Sequence, residues 1–140
     1  MPGTIDGSDA TLFAQRFIEW YLASALLIVG TSLLVRSRAW IAAMSSAVSH
    51  PLAPFLSGLY GVLMGLPIVL LHNVWTSDAR VVVTLLGWLA LAVGVLFLIA
   101  PASYAALLRR MPMSPPLVAL RGLLRVALGG VIVGYLLSQG

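Results

Sequence analysis

FLSGLYGVLMGLPIVLLHNVWTSDARVVVTLLGWLALAVGVLFLIAP, residues 55–101, decides the fold. It holds two apolar runs, Phe55 to Leu71 and Val81 to Ala100, joined by the polar connection His72 to Arg80. Roughly 20 apolar residues rising ~1.5 Å each span the ~30 Å hydrocarbon core of a bilayer. The stretch therefore reads as a transmembrane helical hairpin with a water-facing turn.

The composition extends that reading to the whole chain. Of 140 residues, 61% are hydrophobic and 9% charged, with a mean hydropathy of +1.05. A soluble domain carries about a quarter charged residues, so this surface belongs in lipid. Four apolar segments, about 17–35, 52–71, 81–100 and 117–137, use up most of the length. The expected fold is all-α, one domain of four transmembrane helices. After the first span, Trp40, Ile41, Met44 and Val48 share a helical face apart from Ser45, Ser46 and Ser49, which predicts a short interfacial helix. Ser8 and Asp9 read as caps for a helix beginning near Ala10. The acidic start and long first apolar run do not fit a cleaved secretory signal.

With no cysteine, disulfide, thiol and iron-sulfur chemistry are excluded. All basic residues are arginines in or beside apolar runs, which points to membrane orientation rather than nucleic acid. An even number of spans puts both termini and the 72–80 connection on one side, with Arg16, Arg80 and all the acids. The other side holds Arg36, Arg38, Arg109, Arg110, Arg121 and Arg125. That bias predicts periplasmic termini in a bacterial inner membrane.

Small residues recur every fourth position in span two, at Ala53, Ser57, Gly61 and Gly65, and span three has Gly87, Ala90 and Gly94. Such stripes let backbones approach closely in lipid, so spans two and three should pack together. Gly130 and Gly134 form a similar pair in span four. Gly61, Gly65, Gly130, Gly134 and Ser57 are accordingly candidate contacts with partner subunits or with a second copy.

Few groups offer chemistry. His72, Asn73 and Asp78 match no metal-ligand pattern. They read better as helix-end partners, with Trp75 anchoring the turn. His50 and His72 are ~33 Å apart at helical rise and cannot clamp one haem; His72 alone is the candidate axial ligand to a haem or pigment. No cofactor is required by the sequence. Glu19 invites comparison with the membrane-embedded glutamate of small multidrug transporters, which also have four short spans. That glutamate lies well inside its helix, whereas Glu19 is the third residue of the apolar run, where it can reach headgroups or pair with Arg16 or Arg80, a structural role rather than proton coupling. Arg121 and Arg125 lie inside span four with no acid on their side. They are expected to hold an anionic lipid headgroup or a carboxylate from another subunit.

Leu56-Ser57-Gly58, Leu71-His72-Asn73-Val74-Trp75 and Val83-Thr84-Leu85-Leu86-Gly87-Trp88-Leu89, closing with Pro101, resemble a family of small, uncharacterised four-span bacterial inner-membrane proteins. The resemblance covers about the middle third of the chain and implies no activity. The expected function is a non-catalytic accessory or structural subunit, packed in a larger respiratory or photosynthetic inner-membrane complex or in a homo-oligomer. A small transporter or channel is the alternative. An enzyme is not expected, because no acid, base, nucleophile or ligand set converges.

Overall fold

The computed structural model describes residues 7–139. Among them are six helices and no strand: α1 (Gly7–Val35), α2 (Ser37–Ala47), α3 (Ala53–Leu71), α4 (Arg80–Ile99), α5 (Pro101–Arg110) and α6 (Pro115–Ser138). Four of these, α1, α3, α4 and α6, are long and apolar enough to cross a membrane. The all-α bundle read from the sequence is the observed fold, with two differences. Helix α1 already includes Gly7, so Ser8 and Asp9 lie in its first turn rather than capping it near Ala10. The 102–116 segment, read as a connection, contains α5. Ala100 leaves the helical region at φ −127° and ψ 74°, as expected before a proline. Pro101 then occupies the first turn of a new helix, where its missing N–H costs nothing.

The long helices form two antiparallel pairs, α3 with α4 and α1 with α6. In the first pair a Cβ built on Gly65 would run into the Leu91 backbone nitrogen, and one on Gly61 would lie 2.8 Å from the Gly94 Cα. The stripes therefore seat spans two and three together as expected, with Gly58 a further close contact against the Gly94 carbonyl at 2.9 Å. In the second pair Gly30 and Gly122 face each other. A Cβ on Gly30 would meet the Gly122 carbonyl at 2.8 Å, and one on Gly129 the Ala23 carbonyl at 3.0 Å. Helix α3 continues through Pro67, whose missing N–H leaves the Leu63 carbonyl without its helical donor.

The two pairs converge at the end carrying the chain termini. There Ile18, Ala23, Ile68, Val83, Ile132 and Leu136 make one buried cluster with members from all four long helices. At the arginine-rich end the core is different: Phe97, Tyr104 and Leu108 pack with Val48, Ala53, Val93 and two methionines, joining α4 to the short helices. The Phe97 and Tyr104 rings meet edge to face, with centroids 5.1 Å apart. Helix α2 is tied to α1 by the Trp40 indole, which donates to the Ser32 hydroxyl at 3.0 Å. Its Trp40, Ile41, Met44 and Val48 face is half-buried while Ser45, Ser46 and Ser49 are exposed, as the spacing predicts.

Candidate functional site

At the terminal end the structure assembles a polar group that the sequence spacing conceals. Helix α3 ends at Leu71, and His72, with φ −132° and ψ 57°, still donates its backbone N–H to Ile68. The turn aims its ring inward. His72 is 0% exposed and Glu19, on α1, 4%. Their Nε2 and Oε1 atoms are 2.7 Å apart. That distance is a hydrogen bond between the carboxyl group and the imidazole. The other ring nitrogen faces the Thr84 hydroxyl at 3.4 Å. Thr84 itself is buried; its oxygen accepts the Val74 N–H at 3.2 Å and lies 2.9 and 3.0 Å from the carbonyls of Val74 and His72. It thereby fixes the start of the connection onto α4.

These positions correct three expectations. Glu19 pairs with His72, not with Arg16 or Arg80, because the inward turn after α3 brings the ring nearer than either guanidinium. His72 does cap α3, through its backbone N–H, but its ring is buried rather than at the surface, and Asn73 does not cap α3: its side-chain oxygen accepts the Trp75 indole N–H at 2.8 Å. Nor do the residues fit a haem or pigment. The ring is fully enclosed, and its nitrogens are turned to Glu19 and Thr84, so none is presented to an iron or magnesium. A Thr84–His72–Glu19 nucleophilic triad fails on the same geometry, since the hydroxyl is sealed from any substrate and engaged with loop backbone.

Beside this group, a cavity of about 200 Å³ is lined by Gln15, Arg16, Glu19, Arg80, Tyr135 and Gln139, among others. Asp78 closes its neighbourhood. Its carboxylate accepts from Arg80 at 2.8 Å, from the Thr76 hydroxyl at 2.6 Å and from the Tyr135 hydroxyl at 3.2 Å. The Arg80 guanidinium, followed by Thr76, holds the Asp78 carboxyl well below the usual carboxylate range. Asp78 also accepts the Arg80 backbone N–H at 3.0 Å, so it does begin α4 as expected. Through Tyr135 this loop is a second tie between the two helix pairs.

The arginine-rich end carries the other candidate site. Arg121 and Arg125 line a cavity of about 400 Å³ between the helix pairs, bounded by Trp40 and Met44 of α2 and by Tyr104 and Leu108 of α5. A neighbouring cavity of about 290 Å³ shares Val29 and Arg125 with it and reaches Tyr60, Met64, Ile68 and Leu86. Among the described residues, the acids Asp9, Glu19 and Asp78 all belong to the opposite end. The Arg125 guanidinium donates to the Arg121 carbonyl at 3.2 Å, which bends the side chain back toward the start of α6.

The remaining predicted contact residues divide. Gly61 and Gly65 are taken up inside the chain, Ser57 is half-buried beside them, and Gly130 and Gly134 face outward with nothing within 4 Å of an added Cβ. Sequence reasoning missed Gly122 and Gly129, whose seven-residue spacing is the signal that places both on one face of α6. It also missed the Glu19–His72 pair, although the orientation argument put both residues on one side of the membrane. No family model, curated protein or solved structure matches the chain.

Proposed function

We propose that this chain is a non-catalytic integral membrane subunit, which packs against a larger inner-membrane assembly, respiratory or photosynthetic, or against copies of itself. The observation that carries this reading is the outer face of α6. Ala127, Gly130, Gly134 and Ser138 follow one another along it, all exposed. The other glycines of the four long helices, Gly7 apart, have helix backbone or side chain within 3 Å of an added Cβ; Gly130 and Gly134 have nothing within 4 Å. In lipid, a strip of bare backbone is the surface on which a second helix gains van der Waals contact that acyl chains supply less well. The inward-facing strips of α3, α4 and α6 do this inside the chain, and the outward strip offers the same chemistry to a neighbour. Six arginines against two favour a bacterial inner membrane with both termini periplasmic.

The test uses native membranes at endogenous expression. The wild-type chain should migrate with a larger species, and Gly130→Leu/Gly134→Leu should release it without loss of helix content. Because the chain has no cysteine, Gly134→Cys gives a single-site cross-link to the neighbour, or to a second copy. A wild-type chain that extracts as a monomer would overturn the subunit reading. Solute flux through such a monomer in liposomes would instead support the transport alternative, for which the cavity at Arg125 is the specific observation.

A further inference from the structure

We infer that the paired cavities at the arginine-rich end hold one anionic membrane lipid, with its headgroup on Arg121 and Arg125 and a hydrocarbon chain in the apolar interior between the helix pairs. Charge is the first argument. Arg121 and Arg125 lie ~9 and ~15 Å along α6 from Pro115, inside a span, and an intramembrane guanidinium without an acid requires a partner. Among the described residues, Arg125 bonds only to the Arg121 carbonyl, so its remaining donors are left for an anion. Two guanidinium groups one helical turn apart suit the several acceptor oxygens of a phosphate.

Shape is the second. Apart from the arginines the lining is almost wholly apolar, and the two chambers have Val29 and Arg125 as common lining. From Tyr60, itself exposed, to Ile68, the lining of the second chamber follows α3 for ~12 Å. Volumes of about 400 and 290 Å³ fall in the range of small-molecule sites. A neighbouring subunit's helix, ~10–12 Å across with side chains, does not fit. A soluble anion would leave the second chamber empty.

Direction is the third. The charged lining stands at the arginine-rich end, floored by α2 and α5, and the apolar chamber runs from there toward the middle of α3 and α4. A lipid of the leaflet on that side already has this orientation, and it enters between the pairs without turning over. The buried cluster of Ile18, Ile68, Val83 and Ile132 closes the far end. This site is separate from the outer strip of α6, so subunit docking and lipid retention can fail independently.

The full chain, extracted in mild detergent, is exchanged with phosphatidylglycerol or phosphatidylethanolamine of identical acyl chains and examined by native mass spectrometry. One phosphatidylglycerol per chain should be retained at least tenfold over phosphatidylethanolamine, and Arg121→Gln/Arg125→Gln should remove that preference. Arg109→Gln/Arg110→Gln, at exposed positions of the same end, should keep it. Val29→Phe, which adds bulk to the lining common to both chambers and leaves both charges, should weaken retention as well. Glycerol phosphate, the headgroup without chains, should not be retained. Equal retention of the two lipids by the wild-type chain would overturn the proposal whatever the variants do. So would equal loss in the Arg109/Arg110 variant, or retention of glycerol phosphate as strong as that of the lipid.

Discussion

Replacing Glu19 by alanine should loosen the joint between the two helix pairs. The side chains of the pair are 5% and 0% exposed, with 2.7 Å between Oε1 and Nε2. Were both groups charged, their attraction at an effective dielectric near 20 would be about 6 kcal/mol, most of it offset by the cost of removing both from water. Removing one partner leaves the other buried without compensation. Glu19→Ala is therefore expected to cost about 3–5 kcal/mol. Glu19→Gln keeps a hydrogen-bonding group of the same shape facing the imidazole and should lose only about 1 kcal/mol. The double variant Glu19→Leu/His72→Phe restores an apolar contact and should regain much of the loss, giving a coupling of about 2–3 kcal/mol. Reversible unfolding in mixed micelles measures all three. Spin labels at Ile28 and Leu89, exposed on α1 and α4, should report a broader distance distribution in Glu19→Ala. A cost below about 1 kcal/mol for Glu19→Ala, or strictly additive single variants, would refute the view that this pair joins the halves.

Gly65→Ala places a Cβ against the Leu91 nitrogen and 2.7 Å from the Gly87 carbonyl; both are backbone, so the helices must part, at about 1–3 kcal/mol in the same unfolding assay. Gly134→Ala meets nothing and should be neutral or stabilise by up to about 1 kcal/mol through helix propensity. Thr84→Val keeps the shape but strands the Val74 N–H, with an expected loss of about 1–3 kcal/mol and faster hydrogen exchange at that amide. Asp78 has its pKa lowered in the folded chain. Its stabilising effect on the loop is thus fully present above the unfolded value near 3.9 and is lost only as pH falls through the lower folded value. Fluorescence of the exposed Trp75 should stay level from pH 8 to 5 and change only in strong acid, and Asp78→Asn should remove that acid transition.

How much of this was legible in the sequence follows from the distance over which each signal acts. The spans, the α3–α4 hairpin and the half-buried face of α2 rest on local periodicity and on stripes only eight residues of turn apart, and each appears as read. Helix α5 was obscured because Pro101 ends one helix and opens the next, and stop and start signals look alike at a single proline. The partnership of α1 with α6 hid behind the wrong glycines: Gly130 and Gly134 draw the eye at four-residue spacing, while Gly122 and Gly129 make the contact. Glu19 and His72 lie 53 positions apart, and nothing local shows whether the ring of a helix-capping histidine turns inward or outward. Arg125 was legible as an anomaly, but the cavity it lines exists only once both pairs are in place.

The pairing of the first long helix with the last bears on how the chain is made. The hairpin of α3 and α4 closes over a short connection and can zip together as soon as both have entered the bilayer. By contrast, α1 precedes α6 by the whole of the hairpin and α5 and has no mate until α6 enters the bilayer, with the Ala23 and Gly30 backbone bare to acyl chains meanwhile. A nascent chain halted after α5 should accordingly show a protease-resistant α3–α4 core beside an unprotected α1. Entry of α6 would then close the bundle in one late docking event.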